Sequence, residues 1–153
     1  MTNLTNHNAR RYPYNTYMKS NSKIQYCYLT QDEVYTKMYQ EAHSDAYAVY
    51  WRGKRCLTDN DIFREASASF QFPDYFGENW PALDECITDL EWIKFTRIFL
   101  LIDDFDKMFA GDTAAQRLLI KHLNMWIDDW ATQGITFEVW VNHCNLLSYR
   151  NSI

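Results

Sequence analysis

Short apolar runs rich in β-branched and aromatic residues alternate with stretches of helical periodicity along this chain, and this alternation constrains the fold most. The strand-like runs occupy residues 24–29, 46–51, 96–102 and 135–141. Between them, apolar residues recur at the spacing of one helix face. Strands that alternate with helices are typical of parallel sheets covered by helices. The pattern therefore predicts a small α/β domain with a three- or four-stranded, mainly parallel sheet.

Capping residues indicate where the helices begin and end. The four predicted helices begin after the candidate caps Thr30, Thr58 or Asp59, Asn79, and Asp112 or Thr113. Pro81 falls in the first turn of the third helix, where its missing N–H costs nothing. Gly134 suits the left-handed residue that follows the fourth helix. On the first helix, Tyr35 and Tyr39 are candidates for the inner face beside Val34.

The length of 153 residues fits one domain preceded by a basic arm. Residues 1–23 contain four basic residues and no acid, and they show little periodicity: Arg10, Arg11, Lys19 and Lys23. We expect 1–23 to be a flexible or loosely docked arm, 24–45 to be a strand–helix extension and 46–153 to be the main domain. A basic arm can touch nucleic acid, but a solvated tail is the favoured interpretation.

The acidic balance of the chain limits its partners. Fifteen Lys and Arg against twenty Asp and Glu give a net charge of -5. An acidic body repels phosphate, so a basic protein is a better partner than nucleic acid. The longest strong apolar run, 98–102, is too short to cross a bilayer. We therefore expect no membrane partner and no direct nucleic-acid partner.

The cysteines and the start of the chain suggest where the protein works. Cys27, Cys56, Cys86 and Cys144 show neither Cys-x-x-Cys nor metal-finger spacing. No apolar signal segment follows the first residue. We therefore expect reduced thiols, a cytoplasmic location, and neither a metal nor a cofactor.

Catalytic signatures are missing from the sequence. There is no Gly-rich phosphate loop, no Gly-x-Ser-x-Gly elbow and no His-Glu-x-x-His helix. His143 and Cys144 are adjacent on a strand, so their side chains would point to opposite faces. His122 is expected to be a solvated helix residue. The sequence thus predicts that the protein is not an enzyme.

The segment 74–93 is acidic and contains no Lys or Arg. Its six carboxylates are Asp74, Glu78, Asp84, Glu85, Asp89 and Glu91. Two of them could act as a general acid/base pair, or all six could form a solvated face. Beside the aromatic residues Tyr75, Phe76 and Trp80, they could instead form a docking surface for a basic protein. Composition leaves these three alternatives open and favours the solvated face.

The same segment resembles the barstar family of ribonuclease inhibitors. The run Phe72-Pro-Asp-Tyr-Phe-Gly-Glu-Asn-Trp-Pro-Ala-Leu-Asp-Glu-Cys-Ile-Thr-Asp89 is similar to that family's signature Pro-x-Tyr-Tyr-Gly-x-Asn-[Leu/Trp]-Asp-Ala-Leu-x-Asp-Cys-Leu, and the resemblance extends over about 46–141. It implies a small three-layer barstar-like domain whose acidic loop and helix occlude the active site of a toxic ribonuclease. The implied partner is a basic ribonuclease, bound one-to-one by an immunity protein in the producing cell's cytoplasm.

The resemblance also implies which residues contact the partner. Six positions match the family's interface: Tyr75, Gly77, Asn79, Glu85, Thr88 and Asp129. Glu85 takes the place of a central aspartate that enters the nuclease site where substrate phosphate would sit. Asp84 is expected to add charge, and Phe76 and Trp80 are expected to add packing. Either aromatic could equally be a core residue.

Three departures from the family pattern point to a different cognate nuclease. Pro81 replaces an interface aspartate, Asp84 replaces an interface aromatic residue and Leu90 replaces a tryptophan. Specificity depends on such mismatches as much as on matches. Two alternatives remain: an adaptor with a barstar-like fold that binds a basic non-nuclease protein, and an enzyme that uses the carboxylates of Asp84 and Glu85.

Overall fold

The computed structural model of the chain describes residues 23–143. Most of the basic arm, including Arg10, Arg11 and Lys19, lies outside the described residues, as does Cys144. Within 23–143, no helix is long and apolar enough to span a bilayer.

The predicted strands form one four-stranded sheet in which every neighbouring pair is parallel. The strands are β1 (Gln25–Cys27), β2 (Ala46–Arg52), β3 (Arg97–Asp103) and β4 (Thr136–Asn142), and their order across the sheet is β1-β4-β3-β2. β3 lies between β2 and β4, and all of its residues after the first are buried. The α/β fold with a parallel sheet is therefore confirmed.

Four α-helices follow the predicted caps. They are α1 (Gln31–Ala42), α2 (Asp59–Ser69), α3 (Trp80–Asp89) and α4 (Thr113–Thr132). The side chains of Thr30, Thr58, Asn79 and Asp112 each accept a hydrogen bond from a backbone N–H in the first turn that follows. Two short 3-10 segments, Gly53–Arg55 and Phe105–Gly111, complete the described elements, and sequence periodicity did not predict them.

The helices cover both faces of the sheet and give three layers. Along β3, Ile98, Leu100 and Ile102 join the main core beneath α2, α3 and α4. Phe99 and Leu101 point to the other face, where they pack with Val34 of α1. This alternation is the period of a strand that is buried on both sides.

The segment 24–45 contributes to both the sheet and the second face. β1 pairs with β4, and α1 covers the face that carries Phe99. The inward orientation predicted for Tyr35 and Tyr39 is wrong, since these side chains are 63% and 66% exposed. Val34, Lys37 and Met38 form the face by which α1 meets the sheet. Tyr35 and Tyr39 lie outside that face, and Tyr39 stacks on His43.

A buried carboxylate and a glycine fix the region where β2 ends. Glu65 of α2 accepts hydrogen bonds from the Arg52 backbone N–H at 3.0 Å and from two guanidinium nitrogens at 2.9 Å each. Burial favours the neutral acid, but the bonds and charge of Arg52 outweigh it, so the pKa of Glu65 lies below its usual value. At Gly53, a Cβ would lie 2.2 Å from the Asp103 carbonyl oxygen, so the backbones pass too closely for any other residue.

Candidate protein-docking site

Aromatic contacts hold the loop that precedes α3. The rings of Phe72 and Phe76 lie 4.8 Å apart, and Phe63 of α2 meets Phe76 edge-on at 6.2 Å. Phe76 is therefore half-buried and anchors the loop to the core. Tyr75, its neighbour, is 67% exposed. The loop thus holds Tyr75 outward on a fixed backbone.

Asn79 joins this loop to the start of α3. Its side-chain oxygen accepts from the Ala82 N–H at 2.9 Å, and its amide nitrogen donates to the Gly77 carbonyl at 3.1 Å. A Cβ on Gly77 would lie 3.1 Å from that amide nitrogen. Pro81 lies in the first turn of α3, as predicted. Gly77 and Asn79 therefore shape the loop through contacts with each other.

Trp80 connects three helices at the first residue of α3. Its ring meets Phe63 edge-on at 5.4 Å and stacks on His122 of α4 at 4.4 Å. Its indole N–H donates to the Asp59 carboxylate at 3.2 Å. Trp80 is half-buried. The side chain consequently belongs both to the packing under α3 and to the surface beside it.

Asp84 faces α4 rather than open solvent. Its Oδ1 accepts from the Trp126 indole N–H at 2.8 Å and lies 2.7 Å from His122 Nδ1. The Asp84 side chain is 25% exposed and that of His122 is 16% exposed. The prediction that His122 is solvated is therefore wrong, because α3 and Trp80 cover its ring. The four-residue spacing of His122 and Trp126 was the available signal, since it places both on one face of α4.

The remaining acids of the site are more open. Glu85 is exposed, and its carboxylate makes no ion pair with any residue of 23–143. Asp89, one turn later, is half-buried. Partial desolvation raises the pKa of the Tyr75 hydroxyl, and the negative charges of Asp89 and Glu85 add to the rise. Tyr75 therefore lies within the electrostatic field of these carboxylates.

The last two predicted residues border the same face. The Thr88 hydroxyl donates to the Asp84 carbonyl at 2.8 Å, and Thr88 is half-buried. Asp129 is exposed on α4, between Trp126 and Trp130, whose indole nitrogens both donate to α3. Eight of the nine predicted residues therefore lie on the loop and α3, and the ninth, Asp129, lies on α4, the helix that packs against α3. Whether they contact a partner stays a prediction.

The arrangement suits electrostatic docking better than chemistry. Within the described residues, His122 contacts Asp84, Trp80 and Trp126, and no hydroxyl or thiol is bonded to its ring. No group of metal-ligating side chains occurs in that part of the chain. The site instead offers carboxylates and an exposed tyrosine on a rigid helix and loop. Such a surface fits a basic protein.

Comparison with known families agrees with this geometry. A family model described as Barstar (barnase inhibitor) matches residues 46–142. No curated protein matches the chain. Members of the matched family are inhibitors that bind ribonucleases, and they are not enzymes. The match includes the loop, α3 and α4, and it excludes β1 and α1. Because it spans more than half of the chain, this protein belongs to the barstar family of ribonuclease inhibitors.

Proposed function

We propose that this protein is an immunity-type inhibitor that binds a cognate toxic ribonuclease and occludes its active site with loop 74–79 and α3. The observation that carries the proposal is the exposed carboxylate of Glu85, which has no cationic partner within residues 23–143 and lies on the outer face of α3. It lies near the exposed Tyr75, whose loop is held by the half-buried rings of Phe72 and Phe76.

The mechanism follows from the chemistry of a ribonuclease site. Such a site binds phosphate through arginine, lysine and histidine side chains. A carboxylate that enters the site takes the position of a phosphate and gains charge-assisted hydrogen bonds, which are shorter and stronger than neutral ones. In this proposal Glu85 is the phosphate mimic, Tyr75 packs against the nuclease, and α3 excludes the RNA.

The surrounding charge sets how fast the complex forms. Asp89, one turn beyond Glu85 on α3, and the exposed Asp129 of α4 add negative charge to the surface. A complementary field raises association rates by about 10–10³-fold at low salt. For an immunity protein in the cytoplasm of a producing cell, fast one-to-one capture of a basic toxin limits damage to cellular RNA.

Asp84 has a different role in this proposal. Its Oδ1 is engaged by His122 and Trp126, so it holds the surface of α4 in place more than it offers charge. Trp80 then forms the packing surface at that position, and His122 supports its ring from the protein side. The cognate ribonuclease is accordingly expected to present a surface shaped for the Trp80 ring.

Affinity capture tests the function directly. The full chain is immobilised, lysate of the producing cell is applied at low salt, and the bound fraction is assayed for ribonuclease activity after denaturation and refolding. We expect a basic protein that cuts RNA only when freed from this chain. An E85A bait of equal loading should retain much less of it. A captured protein that has no ribonuclease activity would contradict the proposal and would favour an adaptor function.

A further inference from the structure

A second groove lies apart from Glu85, at the edge of the sheet where the strands begin. Its volume is about 950 Å³. One wall consists of Asp45, Thr96 and Ile135, the residues that immediately precede β2, β3 and β4. The other wall is formed by the end of α3 and the turn that follows it, including Asp89 and Glu91.

The groove combines apolar surface with a rim that carries three acids, Asp45, Asp89 and Glu91, and one base, Lys94. Ile93, Phe95 and Ile135, which are half-buried, contribute the apolar surface. On the rim, Asp45 already pairs with Arg97. Asp89 and Glu91 make no ion pair with any residue from 23 to 143. Such a groove fits a peptide segment that carries both aromatic rings and positive charges.

The chain itself approaches the groove from its amino-terminal side. Because β1 is parallel to β4, the residues that precede Gln25 leave the sheet at the edge where the groove lies. Lys23 pairs there with Asp128, near the end of α4. Trp130 and Gln133, just beyond Asp128, already line the groove.

The amino-terminal segment has the matching composition. Residues 1–22 contain no acid, and the stretch 10–19 carries three bases and three tyrosines: Arg10, Arg11, Lys19, Tyr12, Tyr14 and Tyr17. An extended chain advances about 3.3 Å per residue, so Lys19 reaches about 13 Å from Lys23. Three strand spacings, the width of this sheet, amount to about 14 Å.

We propose that residues 10–19 bind in this groove of the same molecule. The tyrosines cover the apolar surface, and the arginines and the lysine neutralise Asp89 and Glu91. This proposal concerns the chain alone and does not depend on the ribonuclease. Thr88 lines the groove and also belongs to the docking face of α3, so the bound segment borders the docking site.

Hydrogen exchange of the full chain, read by mass spectrometry over residues 88–96, tests the proposal. The variant R10E/R11E/K19E should exchange about three- to tenfold faster there than the unmodified chain, the effect of losing a few exposed ion pairs. The groove variant D89K/E91K should do the same. Combining the two sets of changes restores opposite charges and should restore slow exchange.

A matched control reverses three exposed bases far from the groove, in the variant K54E/R55E/R117E, and should leave exchange over 88–96 unchanged. Equal exchange in the unmodified chain and the arm variant would overturn the proposal. If the arm variant exchanges faster and the combined variant does not return to slow exchange, the segment binds elsewhere and the proposal is overturned. A dimer at the concentration of the experiment, dispersed by the arm variant, would show binding between molecules and overturn binding within one.

Discussion

The indole ring of Trp80 stacks on the imidazole of His122, with ring centroids 4.4 Å apart and planes inclined by 23°. This contact joins the first residue of α3 to α4. Asp84 holds the imidazole of His122 in this stack, since its Oδ1 lies 2.7 Å from His122 Nδ1. A histidine that no family motif indicated thus holds the ring of Trp80, which belongs to the surface on which docking is proposed.

The most direct prediction compares two exposed glutamates, Glu85 in the middle of α3 and Glu91 just beyond its end. Glu85→Ala should weaken ribonuclease binding by about 100-fold or more, because truncating one partner of a desolvated charge pair costs about 2–5 kcal/mol. Glu91→Ala, with the same change of charge, should cost less than about fivefold, as expected of a rim charge. Titration calorimetry with the captured nuclease measures both. Equal, small losses would refute the assignment of Glu85 as the phosphate mimic.

Adjacent acids on α3 should differ in their effects on stability. Asp84→Ala leaves the buried Trp126 indole N–H without an acceptor, so we expect a loss of about 1–3 kcal/mol in the free energy of unfolding. Asp84→Asn keeps an accepting oxygen and should lose less. Glu85→Ala, on the exposed side, should change stability by no more than about 0.5 kcal/mol. Urea denaturation compares the three variants, and equal losses for Asp84→Ala and Glu85→Ala would contradict this role of Asp84.

Acid should remove the contribution of the Glu65–Arg52 pair. The pKa of Glu65 in the folded chain lies below its ordinary value of 4.5. A group with a lowered folded pKa contributes stability above its unfolded pKa and loses that contribution as the pH falls through the folded value. The stability difference between the unmodified chain and Glu65→Gln should therefore be constant near neutrality and shrink below about pH 4.5. Denaturation from pH 7 to pH 3 measures it, and a difference that is independent of pH would contradict the prediction.

Two glycines should respond differently to the same substitution. In Gly53→Ala the new Cβ would meet the Asp103 carbonyl oxygen at 2.2 Å, so we expect a loss of about 3 kcal/mol or more, or failure to fold. Gly134 has φ +74 and open space around it, so Gly134→Ala should cost only about 1 kcal/mol of backbone strain. Thermal unfolding of the two variants shows which substitution loses more stability. A larger loss at Gly134 would contradict the close approach described at Gly53.

Two buried thiols should resist alkylation. Burial, with added negative charge nearby, raises the pKa of Cys27 and of Cys56 to about 12 each. Since the thiolate is the reactive form, iodoacetamide at pH 8 should leave both unmodified in the folded protein and modify both in urea. Peptide mapping by mass spectrometry follows each cysteine separately. Rapid modification of either thiol in the folded state would show that its burial is incomplete.

Local signals in the sequence were sufficient for the four strands and the four α-helices, but not for the two 3-10 segments. Side-chain caps such as Asn79 act within three residues, and strand periodicity such as that of 98–102 reports burial directly, so the structure confirms both. The order of the strands could not be predicted in this way, because β1 lies beside β4 and nothing local indicates that pairing.

The sequence also predicted the docking loop and α3, since they form one continuous segment with a family motif. It did not predict the contact between Asp84 and His122, because that contact joins residues 38 positions apart. A histidine that follows a lysine on an amphipathic helix is readily interpreted as solvated, and only the packing of α3 shows that His122 is covered. Polar pairs between elements are therefore the part of this site that required the structure.

The position of β1 constrains how the newly made chain can fold. β1 leaves the ribosome first, yet its only sheet partner among the described strands, β4, is made last. The Leu29 N–H bonds to Asn142 Oδ1, 113 residues further on. Contacts between distant parts of a chain form slowly, so β1 must wait unpaired until β4 has been made. Joining β1 to β4 is then the closing step of assembly, and with three residues in β1 it is also the first pairing to open.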